Sequence, residues 1–357
     1  MLQAGALVNR RIALFFAATA ALAACSPEYV VRAGVEEARI LSRRQPIADV
    51  IARPDTDAET RRKLELVLQA RTFAEHELGL DTGESFTTYS WVDSDTLLMV
   101  VSAARKDRFE AHTWWFPIVG NVPYKGYFNF DEAWKEAEAL ERKGFDTHVR
   151  PSGAFSTLGW FNDPVLNTVL RYSDVSLANT VIHELLHNTM FVPSRVSFNE
   201  SFANFVGDRG AIEFFCRRDG NDARTCRLAT DAWADNLLFG RFIEDLVGRL
   251  DDLYERNDLS TEEKVRLREP IFAAARERFA NEIRPALRTT SFRGFESEPL
   301  NNATLIATRL YYDRLDLFEA AYVYNGHDLR RTIEWVRATV SAGEGDPFNL
   351  LSSALQR

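Results

Sequence analysis

The chain has little of what marks several specialised classes of protein. Its 357 residues include only 12 prolines and 18 glycines, which excludes collagen-like and low-complexity sequences. It has no surplus of basic residues, since the formal net charge is −9, and this argues against binding to nucleic acid. Disorder is excluded by the 25 phenylalanines and 7 tryptophans that are present. The length suffices for one large or two modest domains with a well-buried core.

Long apolar runs are also missing, except near the N-terminus. Arg10 and Arg11 precede Ile12–Ala24, a stretch that is apolar apart from Thr19. These are the basic region and the short apolar region of an export signal, too short to span a bilayer as a stable helix. No other run of about 18 apolar residues occurs, so we expect no further membrane span.

Cys25 directly follows this apolar run, after the small residues Ala23 and Ala24. The junction resembles a bacterial lipobox, which implies removal of residues 1–24, acylation of Cys25 and anchoring of the mature chain, 25–357, in the cell envelope. Ser26 in the next position favours the periplasmic face of the outer membrane by the same resemblance. An ordinary cleaved signal with an incidental cysteine is the alternative interpretation.

The other two cysteines are Cys216 and Cys226. In an oxidising compartment they would close a small loop over Arg217–Thr225, which contains the turn-like sequence Asp219–Asp222. Two free buried thiols are the alternative, and a metal or redox role would require closer partners.

The predicted elements run in the order helix, sheet, then helices. This order predicts one α+β unit, with an α/β part at 28–174 and a helical part at 175–357. The predicted strands are Thr87–Trp91, Thr96–Ala103, segments of Thr113–Phe130, and Asp146–Arg150. The predicted helices are Val35–Arg44, Asp57–Leu80, Asp131–Lys143, Asp231–Tyr254, Thr261–Leu287 with a kink or break at Pro270, Asn301–Tyr324 and Leu329–Ala342.

The residues that carry chemistry are concentrated in the sequence His-Glu-Leu-Leu-His at 183–187. On a helix, His183 and His187 lie on one face, and this spacing lets both imidazoles bind one Zn²⁺. Glu184 lies on the adjoining flank, where it can reach a water at the metal without being a ligand. A pair of core histidines is the alternative interpretation.

Glu200 is the candidate third ligand. It lies between Phe198 and Phe202 near the start of a second predicted helix, after the short connection Met190–Ser197. A buried glutamate is costly without a partner, and a metal would provide one. Two histidines and one glutamate leave the fourth zinc position open, as a catalytic site requires. The alternative is a carboxylate favoured by the helix dipole.

Residues 183–203 resemble the predicted-aminopeptidase family of bacterial lipoproteins, within the gluzincin type of zinc metallopeptidase. The resemblance covers nearly the whole mature chain. Its further motifs are Arg43–Ile47, Gly79–Leu80, Trp115–Gly120, Tyr124–Phe128, Ser156–Phe161 and Asn301–Ala303.

This resemblance implies a zincin-like fold in which a small mixed sheet precedes a mainly helical half that carries the zinc helix. It makes His183, His187 and Glu200 the ligands of Zn²⁺, and Glu184 the base. The chain departs from the family at Leu186, Asn188 and Thr189, and at Trp115, where a cysteine is common. None of these changes removes a ligand.

The implied reaction is hydrolysis of a peptide bond. Zinc lowers the pKa of a water, and Glu184 takes its proton during attack on the carbonyl and passes it to the leaving amine. A tyrosine often binds the oxyanion in related peptidases, and Tyr311 is the candidate here, ahead of Tyr312 and His327. Core packing in an amphipathic helix is the alternative role for Tyr311.

Other segments are candidates for the walls of the cleft. A strand within Thr113–Phe130 could pair with an extended substrate, with Tyr124–Tyr127 as a hairpin tip, or the stretch is simply core and hairpin. Ser156–Phe161 precedes the zinc helix and is a second candidate wall. Asn204 and Asp208 are either partners of the metal ligands or part of a solvated helix face.

We therefore expect a zinc-dependent aminopeptidase that acts on a peptide or protein substrate and is attached to the membrane by a lipid. Two alternatives stay open, a membrane-tethered endopeptidase of the cell envelope and a non-catalytic zinc-containing binding or assembly factor. An exopeptidase of this kind needs a carboxylate for the α-amine of its substrate, and the sequence does not identify one.

Overall fold

Three small sheets precede a helical half in the computed structural model of the chain. It describes residues 35, 38–116, 120–152, 163–289, 292, 294–297 and 299–356. The predicted α+β class is confirmed. The export signal, Cys25 and the candidate wall Ser156–Phe161 lie outside the described residues.

The strands are short and the helices dominate. The strands are β1 Gln45–Pro46, β2 Thr88–Ser90, β3 Leu98–Arg105, β4 Trp114–Phe116, β5 Gly120–Val122, β6 Tyr124–Tyr127, β7 Phe145–Ser152 and β8 Val165–Leu166. The helices are α1 Ile47–Ala52, α2 Ala58–His76, α3 Phe130–Arg142, α4 Asp174–Thr189, α5 Val196–Asp219, α6 Arg224–Tyr254, α7 Thr261–Arg278, α8 Arg284–Ala286, α9 Gly294–Ser297, α10 Asn302–Tyr312, α11 Leu315–Tyr324, α12 Leu329–Ala342 and α13 Pro347–Leu355.

The sheet that matters for the site is antiparallel, in the order β6-β3-β7. Because side chains alternate along a strand, its two faces carry different residues. One face packs Val101 and Ala103 against α3. The other carries Ser102, which is paired with both Tyr124 and His148, and α10 packs against strands β3 and β7.

The main core lies between α2, α4 and α5. Its centre is a group of fully buried rings, in which Phe198, Phe202 and Phe205 of α5 meet Phe318 of α11. Offset and tilted rings at such spacings contribute about 0.5–1.5 kcal/mol per pair beyond their buried area. Both helices of the histidine and glutamate motifs are therefore held in a rigid part of the molecule.

The structure corrects two of the predicted helices. Helix α7 runs through Pro270 without a break; this proline is exposed, so the carbonyl of Arg266, which loses its amide donor, lies on the solvent side. The predicted helix Asn301–Tyr324 is instead two helices, α10 and α11, because Arg314 adopts a left-handed backbone conformation between them.

The structure also corrects the predicted hairpin tip. Residues Tyr124–Tyr127 form strand β6 at the edge of a sheet, paired with β3 along its whole length. The predicted disulfide between Cys216 and Cys226 is present and joins α5 to α6. No helix within the described ranges is long and apolar enough to cross a membrane.

Candidate metal centre

Helix α4 carries the two histidines. It begins after Ser173, whose hydroxyl accepts a hydrogen bond from the amide of Ser176. Asp174 in its first turn binds both Arg62 and Lys63 of α2, and these hydrogen bonds lower the pKa of Asp174 to about 2. A carboxylate there also suits the helix dipole. The start of α4 is thus fixed to α2.

Helix α5 crosses α4 at short range because two glycines leave room. A Cβ on Gly207 would lie 2.9 Å from Oδ1 of Asn179, and one on Gly210 would lie 3.0 Å from Cγ2 of Ile182. The connection before α5 is held by Asn199, whose side chain accepts from the amide of Val192 and donates to its carbonyl. This close crossing brings the start of α5 next to the histidines.

Three ligand atoms converge at this crossing. Nε2 of His183 lies 3.2 Å from Nε2 of His187 and 3.3 Å from Oε2 of Glu200, and the remaining pair is 3.8 Å apart. Metal bonds of 2.0–2.1 Å at tetrahedral angles place ligand atoms about 3.4 Å apart, so these residues fit one metal ion. Sequence reasoning grouped the same residues, and they could hold a metal.

The electrostatics of the cluster favour a cation. The Glu200 side chain is 14% exposed, and burial alone would raise its pKa, but the two histidines hold that pKa well below its usual range. Burial disfavours the charged form of His187, yet Glu200 outweighs it and raises the pKa of His187. Glu200 is therefore ionised and aimed at both imidazoles.

Glu184 lies beside the cluster and is not one of the converging ligands. Its Oε2 is buried and has no hydrogen-bond partner. The side chain lines a small cavity together with Asp163, Thr180 and a set of apolar residues. An unpartnered carboxylate oxygen beside a metal-binding cluster is available to accept a proton.

Tyr311, at the end of α10, reaches the same place. Its ring centroid lies 6.3 Å from that of His183, and its hydroxyl accepts a 3.5 Å hydrogen bond from Nη2 of Arg150. Burial, and to a lesser degree the charge of Glu200, raise the pKa of Tyr311 above its ordinary value. The phenol therefore stays protonated at neutral pH and can donate a hydrogen bond.

Helix α5 also holds the end of α10 in place. Ser201 donates to the carbonyl of Leu310 at 2.8 Å, and Asn204 donates to the carbonyl of Tyr311 at 2.9 Å. The last carbonyls of a helix lack partners within it, so these bonds fix the position of Tyr311. Asn204, predicted as a partner of the metal ligands, instead holds the backbone of Tyr311.

The weaker candidates lie elsewhere. The ring of Tyr312 packs against Phe239 and Phe292 in a second apolar cluster. His327 lies edge-on to Tyr322, at a centroid distance of 5.3 Å. Neither is brought to the histidines, so Tyr311 alone of the three reaches them.

Asp208 takes part in a buried amide network. Its two carboxylate oxygens accept hydrogen bonds from Asn179 and Asn236, each at 2.6 Å. Burial raises the pKa of Asp208 to about 7, although these two bonds lower it. These bonds link α4, α5 and α6, and Asp208 stays near enough to His183 for that histidine to lower its pKa.

Two of the residues that depart from the family fix the end of α4. Asn188 donates to Oγ of Ser85 at 3.2 Å, and the hydroxyl of Thr189 accepts from the amide of Asp81 at 2.8 Å. They attach the helix to the segment 81–85.

Sequence reasoning missed Arg150 and Tyr172, and it named Tyr124 only as part of a candidate cleft wall. Arg150 of β7 lies against Tyr311, and its charge and that of Glu184 both act on Tyr124 and Tyr172. Burial raises the pKa of both tyrosines, so their hydroxyls stay protonated. Strand alternation places Arg150 on the same face as Tyr124, but only the observed register between β3 and its two neighbours shows this.

The model of one protein family, described as putative aminopeptidase, matches residues 28–345 of the chain. No curated protein and no solved structure matches it. The matched range includes the three converging residues, Glu184, Tyr311 and Arg150, and it confirms the predicted aminopeptidase family. The chain belongs to the putative aminopeptidase family.

Proposed function

We propose that this protein is a zinc-dependent peptidase of the zincin-like, gluzincin type. The observation that carries the proposal is the convergence of His183, His187 and Glu200, with the unpartnered carboxylate of Glu184 beside them. A binding protein needs only the ligands, whereas hydrolysis also needs a base. The family description supports peptide as the substrate.

The donor set selects the metal. Two imidazole nitrogens and one carboxylate oxygen, with a fourth position left free, are the ligands of catalytic zinc. Zinc bound there would supply Lewis-acid chemistry and lower the pKa of a water to about 7.

The residues of the chain then have separate roles. Glu184 takes the proton of the attacking water and delivers it to the leaving amine, and this costs little rearrangement because its Oε2 is already free. Tyr311, protonated and held by Asn204, donates to the oxyanion that develops on the substrate carbonyl. Tyr124 and Tyr172 are two further protonated phenols within electrostatic range of Glu184.

The aminopeptidase form is supported by the family description. An endopeptidase would not distinguish a free amine from a blocked one.

The test compares three proteins and two substrates. Zinc content and hydrolysis of a short peptide, with its amine free or acetylated, are measured for the wild type, Glu184→Gln and Asn188→Ala. We expect zinc in all three, hydrolysis lower by about 10²–10⁴-fold in Glu184→Gln only, and preference for the free amine. If the wild type binds zinc but does not hydrolyse the peptide, a non-catalytic binding factor is favoured. If it cleaves the free and the acetylated peptide equally, an endopeptidase is favoured.

We also propose that Cys25 carries lipid and anchors the chain to the cell envelope. The support is the sequence alone, a basic region and an apolar run that end in small residues before Cys25. One acyl chain binds a membrane weakly, so stable attachment implies more than one. The wild type should partition into the detergent phase, and Cys25→Ser should not. If both proteins partition equally after removal of the signal, the lipid anchor is contradicted.

A further inference from the structure

Arg150, beside the candidate metal centre, has no counter-ion within the described ranges. Its side chain is half-buried, its guanidinium lies 5.9 Å from the ring centre of Tyr311, and its hydrogen bond goes to the hydroxyl of that tyrosine. Among the described residues, no carboxylate forms an ion pair with it. Residues 117–119 and 153–162, outside the described ranges, have no charged side chain in the sequence.

Two other inward-facing arginines of this chain are paired with carboxylates. Arg268 binds both carboxylate oxygens of Asp146, at 2.6 and 3.0 Å, and Arg209 binds both oxygens of Glu319. A guanidinium removed from water costs free energy unless an anion or several acceptors compensate it. Within the described part of the chain, Arg150 contacts one neutral phenol and no carboxylate, so an anion from a ligand would balance its charge.

Tyr311 connects Arg150 to the candidate metal centre, because its hydroxyl accepts from Arg150 and its ring centroid lies 6.3 Å from that of His183. The charges of Arg150 and Glu184 both act on Tyr124, Tyr172 and Tyr311, so all three phenols lie within electrostatic range of both residues. His148, two residues before Arg150 on β7, has a pKa lowered to about 4, chiefly by burial, so it adds no second positive charge at neutral pH.

We propose that Arg150 binds a carboxylate of the substrate next to the scissile bond. A guanidinium presents two parallel N–H donors that match a carboxylate, and such charged hydrogen bonds are about twice as strong as neutral ones. The proposal rests on the proposed peptidase function and narrows its substrates to short peptides that carry an anion near the bond. The α-carboxylate of a very short peptide and an acidic side chain both supply this chemistry.

The rival role for Arg150 is to support the oxyanion through Tyr311. The two roles differ in what removal of the charge does. A carboxylate-binding arginine distinguishes acid from amide substrates, whereas an oxyanion-supporting arginine lowers the rate for both by the same factor. The ratio of kcat/KM for the carboxylate peptide to kcat/KM for its amide therefore distinguishes the two roles.

The experiment uses the full mature chain as wild type, Arg150→Met, Arg150→Lys and Arg142→Met. Methionine keeps an unbranched stem without the charge, and Arg142 is an exposed arginine of α3, 70% accessible, that serves as the control. Four tripeptides are compared. Two are neutral and differ in a free or an amidated C-terminus, and this pair tests recognition of the α-carboxylate. The other two are amidated and carry Glu or Gln next to the scissile bond, and this pair tests recognition of a side-chain carboxylate.

We expect kcat/KM of the wild type to be at least about 10²-fold higher for one carboxylate peptide than for its amide. This ratio should fall to near one in Arg150→Met, partly recover in Arg150→Lys and stay as in the wild type in Arg142→Met. Equal rates on acid and amide in the wild type, or a ratio that survives in Arg150→Met, would overturn the proposal.

A binding measurement separates this proposal from the peptidase proposal. The same peptides are titrated by calorimetry into Glu184→Gln and into Glu184→Gln combined with Arg150→Met. Carboxylate peptides should bind at least about tenfold more weakly to the double variant, and the amides should bind equally to both. If no peptide is cleaved but this difference is seen, the peptidase function fails and the carboxylate site stands; the absence of any difference overturns the site.

Discussion

Oε2 of Glu200 lies 3.3 Å from Nε2 of His183, although the two residues come from different helices. The contact exists because Gly207 and Gly210 have no side chain, so α5 can pack closely against Asn179 and Ile182 of α4. Glu184, next to His183 in sequence, makes no such contact. Two glutamates at one site thus have different neighbours, and their variants should behave differently.

Loss of a ligand should lower the metal content. In Glu200→Gln and His187→Ala one converging atom is weakened or removed, so zinc occupancy after dialysis should fall from near one per chain to a small fraction. Glu184→Gln should keep its zinc because Glu184 is not among the converging atoms. Elemental analysis of the three variants and the wild type measures this.

Two results would contradict this assignment of the metal ligands. Full zinc occupancy in His187→Ala would remove that residue from the metal site. Loss of zinc in Glu184→Gln together with retention in Glu200→Gln would exchange the roles of the two glutamates. Circular dichroism of each variant shows whether the fold is intact.

Tyr311→Phe should lower kcat with little change in KM. The phenol donates to a charge that develops in the transition state, and removal of one such donor costs about 10²–10³-fold in rate. Tyr312→Phe is the matched control, because that residue packs in the apolar cluster around Phe239. Steady-state kinetics on one peptide compare the two variants.

The zinc content of Tyr311→Phe should equal that of the wild type, since Tyr311 is not a converging ligand. A fall in kcat of equal size in both variants would mean that the phenols act through packing of α10, and the oxyanion role would be lost.

Local patterns were enough to predict which three residues converge. His183 and His187 are one helical turn apart, so their shared face follows from the helix itself. Glu200 followed from an energetic argument, since a carboxylate between Phe198 and Phe202 needs a partner. Helix α5 begins at Val196, close to the predicted start. The α+β class likewise follows from the order of the elements.

The pairing of residues that are distant in the chain could not be predicted from the sequence. Arg150 reaches the site only because β7 pairs with β3 in one register and α10 packs across that face. A shift of one residue would turn Arg150 to the other face of the sheet. The break at Arg314 that ends α10 near Tyr311 also depends on tertiary contacts, because Asp313 donates its amide to Ser201 of α5.

The disulfide should matter for stability and not for metal binding. It closes a ten-residue separation between Cys216 and Cys226, and such a loop contributes about 2–3 kcal/mol. Cys216 lies near the far end of α5, about 24 Å from Glu200 at 1.5 Å per residue. Dithiothreitol should therefore lower the free energy of unfolding and leave the zinc content as it was.

The control is the double variant Cys216→Ser, Cys226→Ser, which should have the lower stability with and without the reductant. Chemical denaturation followed by tryptophan fluorescence gives the values. An equal response of this variant and the wild type to dithiothreitol would show that the effect comes from elsewhere.

Asp208 should make stability depend on pH. Its pKa is raised from 3.8 in the unfolded chain to about 7 in the folded one, chiefly by burial. The folded state therefore holds its proton more tightly, so the stabilising contribution is complete below about pH 4 and is lost as the pH rises through 7. The hydrogen bonds from Asn179 and Asn236 reduce this loss without cancelling it.

Asp208→Asn removes the titrating group, so the comparison isolates it. Between pH 5 and pH 8 the unfolding free energy of the wild type should fall by on the order of 2 kcal/mol more than that of Asp208→Asn, as a shift of this size implies. Both proteins are stripped of metal, so that the titration of His183 and His187 contributes equally. Urea unfolding of both proteins at pH 5 and at pH 8 gives the four free energies of unfolding. If the two proteins change by the same amount, Asp208 is already ionised in the fold at pH 5, and the asparagine pair, rather than a proton, balances its charge.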